Sequence, residues 1–184
     1  MRKTIISALM ISLLLLCGCG SRGYEVKLEN FRATLEECIS VSFVAEISVQ
    51  DADSVADFTV ECTRSGEKTT LRLLEPKLIS DVTAHLSGSD AVIEYDGLSF
   101  DSGIRLGEGL TPIEAPDAVL DALESGLTSQ FQVDGNVLAF QVERGNGRYT
   151  TLRLDLDTMT PTQAEIYADG RLVIRCAISD WHME

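Results

Sequence analysis

Along much of the chain apolar and polar residues alternate one for one, the period of a half-buried β-strand. Ile39, Val41, Phe43, Ala45, Ile47 and Val49 take every second position of one stretch. Phe58, Val60 and Cys62 repeat the pattern, opposed to Thr59, Glu61 and Thr63. Turn-forming residues at 51–54 and 65–68 bound this second strand, and TTLRLLEP follows as a third, so the opening reads as a meander. Residues 80–100 hold two more short strands, broken at Gly88-Ser89-Asp90 and at Asp96-Gly97. After residue 136 the alternation resumes. NVLAFQVERGN turns at Gly145-Asn146-Gly147 into RYTTLRLDLDT, where Leu152, Leu154 and Leu156 oppose Arg153, Asp155 and Asp157. A closing hairpin turns at Asp169-Gly170, with Leu172, Ile174, Cys176 and Ile178 on one face.

Two segments carry the helical period instead. In residues 27–38, Leu28, Phe31 and Leu35 recur at spacings of three and four. A second helix is expected over 116–127. Pro116 suits its first turn, Asp117 its N-terminal dipole, and Val119, Leu120 and Leu123 its apolar stripe; Gly126 ends it. The sum is nine or ten antiparallel strands, eleven at most, and two helices. That defines an α+β class. A sheet so wide has to curl, split or close, which predicts a strongly curved antiparallel sheet, an open or half β-barrel, with the second helix as plug or lid. A curved apolar face under a helix can form a pocket. Its candidate lining is Phe43, Phe58, Val60, Leu71, Leu73, Ile93 and Tyr95, each of which also suits ordinary core.

The N-terminus stands apart from this pattern. Met1-Arg2-Lys3 precedes an almost wholly apolar run to Leu16, shorter than the roughly 20 residues of a spanning helix and laid out as a signal peptide. Leu16-Cys17-Gly18-Cys19 resembles the bacterial lipobox. Cleavage before Cys19 sets Gly18 at the small position, whereas cleavage before Cys17 would set Leu16 there. The expected organisation is a leader over 1–18, a lipidated flexible tether over 19–27 beginning at Cys19, and one domain over 28–184. The lipid, a diacylglyceryl thioether often joined by a third acyl chain such as palmitate, would hold the protein to the outer leaflet of the cell membrane.

Charge narrows the partners. The leader carries two of the 15 cations and none of the 29 acids, so the remainder has a net charge of −16. Such acidity argues against nucleic acid and against lying flat on anionic lipid. Cys38, Cys62 and Cys176 remain after the leader; the last two lie on apolar strand faces, so core thiols are expected, with one disulfide as the alternative. Enzyme chemistry finds no foothold. His85 and His182 are the two histidines, and neither sits in a metal spacing; no nucleophile elbow, P-loop or dinucleotide fingerprint occurs. Asp155 and Asp157 read as the solvated face of a strand, and Trp181 as packing over the sheet end or marking a contact surface. The expectation is a non-enzyme with neither metal nor cofactor.

The order of elements also resembles the half-barrel fold of the LolA and LolB lipoprotein carriers, with the mycobacterial lipid-carrier lipoproteins and RseB-type proteins as relatives. The matching stretches are FRATLEECISVSFVAEI; LLEPKLISDV, with a proline after the third strand; AVIEYDGLSF; the mid-chain helix; and YTTLRLDLDTMTPTQAEIYADGRLVIRCAISDW, where Asp-x-x-Thr precedes a proline turn and the closing hairpin. The resemblance spans most of residues 28–181. It implies an apolar cavity for a lipid or for lipoprotein acyl chains. The alternative is an interaction protein on the same scaffold, gripping an envelope enzyme or sensor. Two features depart from the soluble carrier: the expected anchor, and the lack of a counterpart to its cavity arginine.

Overall fold

The computed structural model describes residues 21–50, 55–105 and 109–184. The leader, Cys19 and the turn at 51–54 lie outside the described residues. Helix α1 (Ser21–Glu37) leads into β1 (Val41–Gln50), β2 (Val55–Ser65) and β3 (Lys68–Glu75). A 3-10 turn (Lys77–Ile79) leads to β4 (Thr83–Ser87), β5 (Asp90–Tyr95) and β6 (Leu98–Arg105). Helix α2 (Ala115–Glu124) then precedes β7 (Leu127–Asp134), β8 (Val137–Gly145), β9 (Arg148–Asp155), β10 (Pro161–Ala168) and β11 (Arg171–Met183).

All the strands form one 11-stranded sheet in the order β6-β5-β4-β3-β2-β1-β11-β10-β9-β8-β7. It consists of two antiparallel meanders that meet where β1 pairs with β11. Glu184 extends that seam: its amide donates to the Ser40 carbonyl at 3.0 Å, and its own carbonyl accepts from the amides of Ile39 and Ser40. The sheet is not closed. β6 and β7 are its free edges, so the architecture is the open half-barrel with a helical plug.

The registers explain the curvature. Directly opposed residues form apolar rows on the concave face, one being Phe58–Ile47–Cys176–Ala164–Leu152–Phe140 from β2 to β8. A second row, Phe43–Cys62–Leu71–Ala84–Ile93–Phe100, crosses from β1 to β6. The helices cover part of this face. α1 buries Leu28, Phe31 and Leu35 there, and α2 buries seven of its ten residues, including Val119, Leu120 and Leu123. Trp181 closes one end, its ring 5.4 Å from that of Phe43 and 6.4 Å from that of Phe31. On the convex face buried Glu165 accepts from Arg175 at 3.0 Å and from the Tyr167 hydroxyl at 3.2 Å, a paired charge tying β10 to β11.

Several boundaries differ from the sequence pattern. α1 begins at Ser21, so residues 21–27, expected as flexible tether, are helical. Tyr24 precedes Leu28 by four and Phe31 by seven, extends the apolar stripe by a turn and packs against the core. α2 ends at Glu124, short of 127, because Ser125 is already extended and Gly126 has a φ of 116°. A side chain at Gly126 would lie 2.5 Å from Val142 Cγ1, so only glycine fits. Two strands, β6 and β7, form in segments without a clear alternating pattern. Cys38, Cys62 and Cys176 are free thiols. Burial pushes Cys62 up and Cys176 to about 12, so both stay protonated at neutral pH. Asp155 does more than face solvent: its Oδ1 accepts from the amides of Asp157 and Thr158 and from the Thr158 hydroxyl, which folds the Asp-x-x-Thr turn. Among the described residues no helix is long and apolar enough to cross a membrane.

The packing around Phe43 makes a stability prediction. Phe43→Ala should cost about 3–5 kcal/mol, the range for emptying a buried phenylalanine site. Denaturant unfolding followed by the fluorescence of Trp181, the chain's one tryptophan, measures it directly; a loss under about 1 kcal/mol would contradict the packing described.

Candidate functional site

On the concave face beyond α2 lies an apolar groove of about 300 Å³. Strands β2 and β3 supply Phe58, Val60, Leu71 and Leu73 because each follows the inward parity of its strand. β4 and β5 add Ala84 and Ile93 by the same rule. The remaining walls come from connections: Ile79 at the end of the 3-10 turn, Val82 after it, and Pro112 and Ile113 before α2. Among the described residues no titratable side chain lines the groove, so they hold apolar matter by burial and offer no acid, base or nucleophile. Among the described residues no three His, Cys, Asp or Glu side chains are grouped to hold a metal ion.

Five of the seven residues singled out from sequence, Phe58, Val60, Leu71, Leu73 and Ile93, meet in this groove. Phe43 and Tyr95 do not. Phe43 sits one row end away, sealed under Trp181, and Tyr95 stands half-exposed at the β5–β6 hairpin. Ile79, Val82, Pro112 and Ile113 escaped sequence reasoning because connections have no period. Their signal was apolar side chains inside KLISDV and LTPI, where a fully solvated loop would carry polar ones.

The plug is held by charge. Arg64 continues the inward series Phe58, Val60, Cys62 on β2 and is only 14% exposed. Its Nη2 donates to Asp121 Oδ1 at 2.5 Å and lies 3.3 Å from Asp117 Oδ1, while its Nη1 reaches Glu124 Oε1 at 3.3 Å. All three carboxylates belong to α2. Arg144 of β8 donates to the Ala118 carbonyl at 2.6 Å, and the Thr69 hydroxyl donates to Asp117 at 2.5 Å. Arg32 of α1 donates to the Leu123 carbonyl at 3.1 Å and to the Thr128 hydroxyl at 2.9 Å, taking the place of a basic residue missing from the last turn of α2. Burial works against the charge of Arg64, but the hydrogen bond to Asp121 and the three carboxylates outweigh it and raise its pKa. Burial, with Asp121 and Asp117 nearby, leaves the Glu124 carboxyl above its ordinary value despite Arg64. No counterpart of a cavity arginine was evident in the sequence; the structure nonetheless turns Arg64 and Arg144 toward α2 on the concave face.

A larger cleft of about 500 Å³ opens between the helix C-termini, lined by Glu36, Cys38, Ile39, Arg64 and Glu124 among others. Its mixed wall already pairs Arg64 with Glu124. The smaller groove has the stronger claim because every side chain in it is apolar and gains by being covered.

No family model matches the sequence, and no curated protein matches it. The architecture does have solved counterparts. A LolA superfamily protein from Nitrosomonas europaea superposes with a TM-score of 0.50 at 14% identity, over 87% of this chain and 93% of that one. A DUF1329 family protein from Desulfovibrio piger gives 0.50 at 10% identity, over 89% and 92%. An uncharacterized conserved protein from Thermus thermophilus gives 0.50 at 3% identity, over 88% of each chain. The class is therefore an open antiparallel half-barrel with a helical plug, and the chain has the LolA-like fold.

Removing Arg64 leaves three carboxylates facing one another. Arg64→Ala should cost about 2 kcal/mol, less than the ~3–5 of a fully buried pair because its partners keep some solvent, and should lower Tm by roughly 4–8 °C. Glu124→Gln should act oppositely. The folded pKa of Glu124 lies above its unfolded one, so its stabilising contribution is present at acid pH and lost as pH rises through the folded value. The variant should match the parent near pH 3.5 and exceed it near pH 7.5, either side of the ordinary Glu pKa of about 4.3. Paired thermal scans across that range measure the difference.

Proposed function

We propose that this protein is a lipid-anchored, extracytoplasmic lipoprotein whose open groove binds a lipid or lipoprotein acyl chains, without catalysing a reaction. The observation that carries the reading is the groove itself: ten apolar side chains, and among the described residues no polar one, around about 300 Å³ of open space. Burial of such surface is worth about 25 cal/mol per Å², so an apolar ligand needs no further chemistry to be held. The LolA-like fold supports the reading by analogy. The leader and the lipobox-like Cys19 supply the address and the anchor. Because α1 starts at Ser21, a lipid on Cys19 would hold the domain close against the bilayer. The interaction-protein reading draws on one observation, the edge strand β7, which among the described residues pairs with β8 alone and exposes Leu127 and Val133.

Native mass spectrometry of residues 20–184, incubated with membrane extract of the host, tests the first reading. One lipid-sized adduct per chain is expected, and Val82→Trp, which fills the groove from its wall, should abolish it. Bare protein throughout would overturn lipid binding; crosslinking in the native envelope would then seek a protein on β7.

A further inference from the structure

The concave row Phe43–Cys62–Leu71–Ala84–Ile93–Phe100 changes character along its length. Phe43, Cys62, Leu71 and Ala84 are buried, Ile93 is half-buried, and Phe100 on the edge strand is 53% exposed. The adjoining pair Tyr95 and Leu98 lies on the same face, 50% and 60% exposed. The apolar floor of the groove therefore continues past its walls and runs out at the free edge of the sheet. Inward travel is blocked by the sealed Phe43–Trp181 stack and the pinned α2.

Building on the lipid-binding reading, we infer that the groove takes a single unbranched acyl chain lying across β3 to β6, so that the ligand is a one-chain amphiphile whose polar head stays outside the β6 edge. Three constraints converge on this. The volume of about 300 Å³ is about twice the ~150 Å³ apolar cavity that accepts one benzene, room for one slender chain and not for two or three. The floor from Leu71 on β3 to Phe100 on β6 spans three strand spacings, about 14 Å at the usual ~4.8 Å each, a run that an extended chain can follow. And since no lining side chain carries a polar atom, a head group finds no hydrogen-bond partner inside and is excluded by its own desolvation. Leu98 and Phe100 then form the ledge that supports the part of the chain nearest the head. They set how strongly long chains are preferred over short ones, while the walled part of the groove reads short and long chains alike.

The test is a calorimetric titration of the mature chain, carrying Cys19→Ser so that its own lipid is absent, with octanoic, dodecanoic and hexadecanoic acids. Hexadecanoyl lysophosphatidylcholine and dihexadecanoyl phosphatidylcholine follow as further ligands. Affinity should rise along the acid series, the lysolipid should bind within threefold of hexadecanoic acid, and the two-chain lipid should bind at least tenfold more weakly. In the double variant Leu98→Ser/Phe100→Ser, hexadecanoic acid should lose about tenfold, the loss expected when two exposed apolar contacts go, and octanoic acid should be unchanged. Both side chains lie at the surface, and an unaltered Tm checks that the variant is folded. A flat chain-length series, equal affinity for the two-chain lipid, a strong preference for one head group, or an unchanged series in the double variant would overturn the inference while leaving apolar binding intact. No binding by the parent of any of the five ligands, with lipid adducts also missing from the membrane-extract experiment, would remove the lipid-binding reading itself.

Discussion

A sheet of eleven antiparallel strands has an apolar face too large to leave in water and too curved to pair with a second sheet. Everything else in this molecule follows from how that one face is covered. The pleat sends Ile47, Cys176, Ala164, Leu152 and Phe140 to the same side, and the right-handed twist of so many strands rolls that side inward. Among the described residues two helices totalling 27 residues cover it. They suffice for the seam and the β7–β11 half. Beyond α2 the face is walled only by two connections, and the groove is the remainder.

The plug illustrates how a polar device can serve an apolar interior. Arg64 breaks its strand's inward series of Phe58, Val60 and Cys62 with a charge, which would be ruinous if unpaired. Here α2 answers it with Asp117, Asp121 and Glu124, one helical face of acids set against one guanidinium. Arg144 and Arg32 hold the same helix through its carbonyls from β8 and α1. The network joins both meanders to α2, so the helix cannot leave the concave face without freeing several charged and polar groups together. The contrast with the groove is chemical: charge and hydrogen bonds immobilise one half of the concavity, while the other half is lined without a polar side chain.

Much of this was legible in the chain. The central strands declared themselves because burial on one face imposes strict alternation, as in Val41 to Ile47 and Leu152 to Leu154. The edge strands did not, since β6 and β7 face solvent along one side and have little burial to record: Leu98, Phe100 and Leu127 are all more than half exposed. The stripe of Leu28, Phe31 and Leu35 predicts a shorter α1 than the one formed, because Tyr24, whose ring is amphipathic, adds a turn to it. Five groove residues followed from parity; Phe43 was misplaced because parity tells which face a residue takes and not where along the face the cover ends. Arg64 shows the converse. Its parity pointed inward, yet a lone arginine suggests solvent unless the acids that meet it, more than fifty residues on, are already placed beside it.

The β1–β11 seam has one more consequence. The segment beginning at Ser40 and the last residue, Glu184, are hydrogen-bonded neighbours, while the two meanders are otherwise continuous only through the stretch between β6 and α2. Traced in space rather than along the chain, the two meanders are neighbours at the seam, where β1 pairs with β11. What unites them is thus non-covalent: a chain cut between Arg105 and Gly109 would yield two pieces, one bearing the groove floor and one bearing the plug, each presenting a ready strand to the other. Continuity of the polypeptide brings the halves together once; the seam is what keeps them a single body.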